Sequence, residues 1–198
     1  KIKAKKSPGF DLISGIILKN LPHKAIMKLV KIFNAVIRLK YVPAQWKKVE
    51  IVVLLKPDKS PANPSSYRPI SLLPFIGKLF EKLYIKRLNK IVQTKKLIID
   101  SQFGFREKHS TIEQLHRITR TIDEALEKGE FCVAVFLDVA QAFDRVWHEK
   151  LIKKLFNIIP CNHVELIASY LKGRQFRVRF DDAKSEFKNI GAGVPQGS

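Results

Sequence analysis

Acidic residues, cysteines and long apolar runs are all scarce in this sequence, and each scarcity closes off a class of protein. The only cysteines are Cys132 and Cys161; they lie in no CxxC pair and offer no zinc-ligand spacing, so neither a metal finger nor a disulfide framework is suggested. The longest uninterrupted apolar run, Phe131 to Leu137, falls far below the roughly 20 residues that a spanning helix needs. No signal-peptide pattern opens the chain. Against 37 Lys and Arg stand 18 Asp and Glu, a formal net charge of +19 over 198 residues. Such a surplus repels itself unless a polyanion is close by, which makes nucleic acid the first partner to consider, with a basic but ordinary solvated surface as the plain alternative. At 45% hydrophobic the chain can bury a core, and a disordered tail is excluded. Lys1 is no initiator methionine and no helix stop or turn follows Ser198, so an excerpt of something longer is expected.

What is present reads as a mixture of helices and strands without strict alternation or internal repeat, an α+β class. Ile26, Leu29, Val30, Phe33 and Ile37 recur at three- and four-residue steps and predict a helix over 25–39. Glu50 to Leu55 predicts a short strand that ends at Lys56-Pro57-Asp58-Lys59. Four prolines between Pro57 and Pro69 predict an extended, solvent-facing connection. Helices follow over about 76–91 and 112–126, the second with Ser110 and Glu113 as its capping box. Phe131 to Leu137 suits a strand buried on both faces, with a helix from about Ala140 to Phe156 behind it. A helix over Val164 to Leu171 is closed by Gly173, and Phe176, Val178 and Phe180 alternate with Gln175, Arg177 and Arg179 as a strand that turns at Asp181 to Lys184.

Several residues on these elements have the chemistry of a site. Asp138, expected where strand meets helix, is placed to offer a carboxylate to a divalent metal; an Asp in that position also suits a plain helix N-cap. Asp144 is six residues further on and would point elsewhere, so the two are not paired on one metal. Phe143 shares a helical stripe with Val146, Trp147 and Leu151, which equally describes core packing. Lys56 and Arg68 suit a triphosphate, as a point charge and a bidentate fork. Gly193 to Ser198 brackets Gln196 with glycines and a proline, fitting a backbone that passes close to a ligand. Arg177 and Arg179 suit sequence-independent phosphate contacts, or a solvated strand face.

Taken in order, the segments resemble the reverse transcriptase of non-LTR (LINE-type) retrotransposons, the jockey-like elements of arthropods above all. Lys6-Ser7-Pro8-Gly9-Phe10-Asp11 is similar to that family's opening block, and Tyr67-Arg68-Pro69-Ile70-Ser71-Leu72-Leu73 to its YRPISLL block. Gln102-Phe103-Gly104-Phe105-Arg106 with His109-Ser110-Thr111 resembles the QxGFRxxxST block, Phe136 to His148 the first catalytic block, and Gly193 to Ser198 the GxPQGS block.

The resemblance implies a right-hand polymerase, with fingers over 1–125 and a partial palm over 126–198, truncated before the second catalytic aspartate motif and the thumb. It implies two Mg2+ ions in the complete enzyme, Asp138 as the first metal-binding aspartate and the Val139 carbonyl assisting. Phe143 becomes the steric gate against a ribose 2'-hydroxyl, Lys56 and Arg68 hold the incoming triphosphate, and Gln196 lines the nucleotide pocket. Arg106, Arg177 and Arg179 become nucleic-acid contacts. The implied partners are RNA template, DNA primer and dNTPs, with no membrane. Two-metal transfer needs several carboxylates in one pocket, so this stretch alone is expected to be inactive. A group II intron type of reverse transcriptase, or a decayed or domesticated RNA-binding remnant without polymerase activity, are the alternatives left open. Such an element meets RNA in the cytoplasm and DNA in the nucleus, so no localisation is implied.

Overall fold

The computed structural model describes residues 7–195, a mixed α+β arrangement with one sheet. The helices are α1 (Gly15–Lys19), α2 (His23–Leu39), α3 (Phe75–Thr94), α4 (Thr111–Glu127), α5 (His148–Phe156) and α6 (Cys161–Leu171). The strands are β1 (Lys48–Leu55), β2 (Tyr67–Leu72), β3 (Gln175–Phe180), β4 (Ala183–Lys184) and β5 (Lys188–Asn189). The chain divides into two compact units, one of residues 1–91 with 141–198 and one of residues 92–140. This packing division differs from the functional one expected at residue 125.

In the first unit, β1 is central. It pairs antiparallel with β2 and parallel with β3, and β3 pairs antiparallel with β4 and β5. The strand β2 begins inside the extended connection expected up to Pro69 and continues past it to Leu72. Pro69 stands opposite Val53 on an edge strand, where a missing N–H is tolerated.

The core of this unit follows from the periodicity of α2. Phe33 and Val36 are buried with Val42, Phe80, Tyr84 and Leu166, and Trp46 packs against them. The rings of Phe33, Trp46 and Phe80 meet at centroid distances of 5.5 to 5.7 Å, and burying each such side chain contributes about 1.5–3 kcal/mol. Lys47, also buried, donates to the Lys172 carbonyl at 3.0 Å just past the C-terminus of α6, where a cation is favoured. Burial, then the nearby Arg174 and Lys172, pulls its ammonium below the ordinary lysine value. Arg174 is 1% exposed, its guanidinium 4.6 Å from the centre of the Tyr170 ring. Its two terminal nitrogens have no hydrogen-bond partner among the described residues, and Glu81 faces its charge.

At the edge of this core the Tyr84 hydroxyl and His163 Nδ1 lie 2.6 Å apart. Burial holds the imidazole below its usual 6.5 and pushes the Tyr84 phenol up to about 12. The folded state thus prefers neutral His163, so its contribution is complete above the unfolded pKa and is lost as pH falls through the lower folded value. Thermal melts are expected to show a midpoint that drops between about pH 7 and pH 5, with a shallower drop in His163→Gln. Equal slopes in the two proteins would show that His163 carries none of it.

The second unit contains α4, which begins as expected: the Ser110 hydroxyl accepts from the Glu113 N–H and the Glu113 carboxylate accepts from the Ser110 N–H. Its apolar residues Ile112, Leu115 and Leu126 are exposed. The expected buried strand over Phe131 to Leu137 is corrected. The segment has no ladder and stands in solvent, Leu137 at 92% exposure. Backbone becomes a strand only through a partner, and the described part of this unit holds no strand. The helix expected from Ala140 is corrected as well. Residues 140–145 form turns with Gln141 at φ +56°, and α5 starts only at His148. The tertiary bonds that hold this stretch, given below, override its helical periodicity.

Candidate active site

The charged face of the sheet follows from strand register. Glu50 and Leu54 of β1 stand opposite Leu72 and Arg68 of β2, while Glu50 and Val52 stand opposite Arg177 and Arg179 of β3. Because side chains alternate every residue, Glu50, Arg68, Arg177 and Arg179 share one face, and Lys56, two residues beyond Leu54, continues it. Lys56 and Arg68 are therefore brought together at one end of the β1–β2 hairpin. Lys56 donates from its ammonium to the Ser65 carbonyl at 2.8 Å, and its N–H donates to the Ser66 carbonyl at 2.8 Å. The loop between them is ordered by its own polar residues: Asn63 Oδ1 accepts from the N–H and hydroxyl of Ser65 at 2.9 and 2.8 Å. The Tyr67 hydroxyl donates to the Pro61 carbonyl at 3.0 Å.

Arg177 and Arg179 are neither free nor merely solvated. Glu50, with a side chain only 3% exposed, accepts from Arg177 at 2.6 and 2.8 Å through Oε2 and pairs with Arg179 at 3.0 Å through Oε1. Arg177 also lies over the Phe187 ring at 5.0 Å, as does the Lys48 ammonium. Phe10 meets Phe187 edge-on at 6.1 Å. Gly9 presses so closely on the Leu73–Pro74 backbone that a Cβ would lie 2.7 Å from it. The Ser7-Pro8-Gly9-Phe10-Asp11 stretch is thereby a clasp on the hairpin. The sequence reading missed this role and that of Glu50. The available signal was one acid in an otherwise apolar strand and two arginines at alternate positions of another.

Within the first unit the Phe143–His148 stretch and the Gly193–Val194 turn meet. The Gly193 N–H donates to the Val146 carbonyl at 2.9 Å, and the Val194 N–H to the Phe143 carbonyl at 2.8 Å. His148 Nε2 lies 2.7 Å from the Gly193 carbonyl oxygen. Gly193 adopts φ +84°, and a Cβ there would come within 2.7 Å of the Asp144 carbonyl, so only glycine fits. Beside this junction a cavity of about 310 Å³ is lined by Val49, Ile51, Phe176, Asp144 and Gly193, on the sheet face opposite Glu50. Phe143 is thus positioned by its own backbone rather than by a helical stripe with Val146, Trp147 and Leu151.

Asp138, Val139 and Arg106 belong to the second unit. Asp138 and Val139 are exposed on the extended segment, with no helix starting at Asp138 for it to cap. Arg106 folds back on its own loop, donating to the Ile99 carbonyl at 3.2 Å and pairing with Asp100 at 3.4 Å. Gln196 lies outside the described residues. Among the described residues no group of three or more His, Cys, Asp and Glu is arranged to hold a metal ion. Two-metal chemistry needs several carboxylates in one pocket.

Residues 54–198 match the family model of the reverse transcriptase (RNA-dependent DNA polymerase). The chain is 47% identical over 98% of its length to a probable RNA-directed DNA polymerase from transposon BS of Drosophila melanogaster. It is 44% identical over its whole length to the RNA-directed DNA polymerase from the mobile element jockey of the same species, and 32% identical to a putative 115 kDa protein in the type-1 retrotransposable element R1DM. The chain spans about a fifth of the length of these curated relatives.

Proposed function

Since this chain belongs to the reverse transcriptase family, with non-LTR retrotransposon polymerases as relatives along its whole length, we propose that it serves an RNA-directed DNA polymerase as the fingers and the start of the palm. Residues 1–125 are the fingers and 126–198 the palm in this reading, with the second aspartate motif and the thumb supplied by further chain. The substrates are an RNA template, a DNA primer and dNTPs. A divalent metal is implied by the family; Mg2+ is the ion proposed, and Asp138 with the Val139 carbonyl are the ligands this chain would contribute. When bound, the ions would activate the primer 3'-hydroxyl and steady the leaving pyrophosphate.

The chain's own residues bind and orient. Lys56 and Arg68 hold the triphosphate, Phe143 lies beside the sugar and Gln196 lines the pocket. The observation that supports this most directly is that Lys56 and Arg68 share one face and one end of a hairpin, a placement that suits a point charge and a planar fork directed at one polyanion. Arg177 and Arg179 are held by Glu50, and Arg106 by its own loop, so their role toward nucleic acid is to shape the surface while adding positive potential.

A protein of the relatives' length is expected to extend a DNA primer on an RNA template in Mg2+. Lys56→Ala and Arg68→Ala should each raise the KM for dNTP about tenfold, the loss of one charge-assisted contact, with little change in primer-template affinity. A folded protein that binds RNA and never extends a primer would instead be a nucleic-acid-binding remnant.

A further inference from the structure

The junction between the Phe143–His148 stretch and the Gly193–Val194 turn is held by three hydrogen bonds, one of them from a side chain. Two are backbone bonds, Gly193 N–H to Val146 and Val194 N–H to Phe143. The third joins His148 Nε2 to the Gly193 carbonyl at 2.7 Å. A carbonyl oxygen only accepts, so Nε2 carries the proton in this contact. A Cβ on Gly193 would lie 2.7 Å from the Asp144 carbonyl oxygen, so the turn packs close against the Asp144 backbone. Outward movement is what the imidazole opposes. Phe143 is tethered through its own carbonyl to Val194, and Val194 follows Gly193.

We propose that His148 is a positioning residue that sets how strictly the polymerase rejects ribonucleotides, by holding Gly193 and Val194 against the backbone of Phe143. The inference rests on the reading that Phe143 lies beside the sugar. A gate works by the volume it denies, and a displacement of about 1 Å is enough to change discrimination substantially. Without the imidazole the Gly193 carbonyl loses its partner, the turn loosens and the ring of Phe143 gains room.

The test is RNA-templated primer extension by the complete polymerase, with dNTP and rNTP compared by kcat/KM. His148→Ala is expected to narrow the dNTP preference by about tenfold, chiefly through a lower KM for rNTP. His148→Asn, whose amide is too short to reach Gly193, should behave in the same way and covers the case in which the alanine variant does not fold. His148→Gln, which can still donate, should restore most of the preference. Phe143→Val should narrow it further, and His148→Ala added to Phe143→Val should change nothing more. If the short variants depress dNTP and rNTP use equally, His148 is only structural and the proposal is overturned while Phe143 keeps its role. If Phe143→Val itself leaves the ratio intact, the sugar-gate reading falls, and this proposal falls with it.

Discussion

Replacing Asp138 with alanine in a polymerase of the relatives' length is expected to cost on the order of a thousandfold in primer extension, about 4 kcal/mol at the transition state, with folding left intact. The two halves of that expectation come from different observations. The loss follows from the proposed role: a carboxylate holding a metal has no substitute in a methyl group, and Asp138→Asn, which keeps the shape and drops the charge, should be nearly as inactive. The intact folding follows from the geometry. Asp138 is exposed, lies in neither helix nor strand and caps no helix, so its removal should move stability by no more than about 0.5 kcal/mol. Had it been an N-cap, alanine would have cost about 1 kcal/mol. Steady-state extension and a thermal melt on the same preparation separate the two. A variant that keeps about a tenth of the rate or more would remove Asp138 from the metal site.

Glu50→Ala is expected to be the most damaging substitution for stability, by about 3–5 kcal/mol, because it strands two guanidinium groups that share one buried carboxylate. Glu50 is on the central strand of the sheet, and its nearly buried side chain pairs with both Arg177 and Arg179. Taking it away leaves two positive groups at alternate positions on one face of a strand without their shared carboxylate. Urea unfolding of Glu50→Ala, of Arg177→Met and of the double variant measures the coupling. The double variant should lose much less than the sum of the single ones, since the stranded charge is partly removed with its partner. Additive losses would mean that Glu50 acts by packing alone.

Local signals in the sequence were read well wherever a segment's structure depends on its near neighbours. The three- and four-residue recurrence from Ile26 to Ile37 lies within α2, the Ser110–Glu113 capping box is formed at both ends, and the alternation from Gln175 to Phe180 is β3. Five ordered motifs also resembled the family to which the chain belongs. Segments whose state is decided by distant partners were not legible. The same β-branched and aromatic composition that suggested a buried strand over Phe131 to Leu137 says nothing about whether a ladder partner is alongside. The stretch from Ala140 has helical periodicity, yet 140–145 form turns, and Phe143 and Val146 bond instead to Val194 and Gly193. At the candidate site, the residue types of Lys56 and Arg68 were recognisable, but their shared face needed the register of β2, and the part played by His148 needed a turn 45 residues away.

The parallel pairing of β1 with β3 joins Glu50 to Arg177 across 127 residues, and this separation sets a clock during synthesis. A ribosome adding about 5–20 residues per second releases Arg177 roughly 6–25 s after Glu50. The β1–β2 hairpin can close at once, on a microsecond scale, but β1 then waits with its other edge bare and its carboxylate in water. During that interval the nascent chain is a sheet with a vacancy, open to any strand that arrives first. Slowing translation between β2 and β3 lengthens the exposure, and a ribosome that stops before Arg174 never ends it.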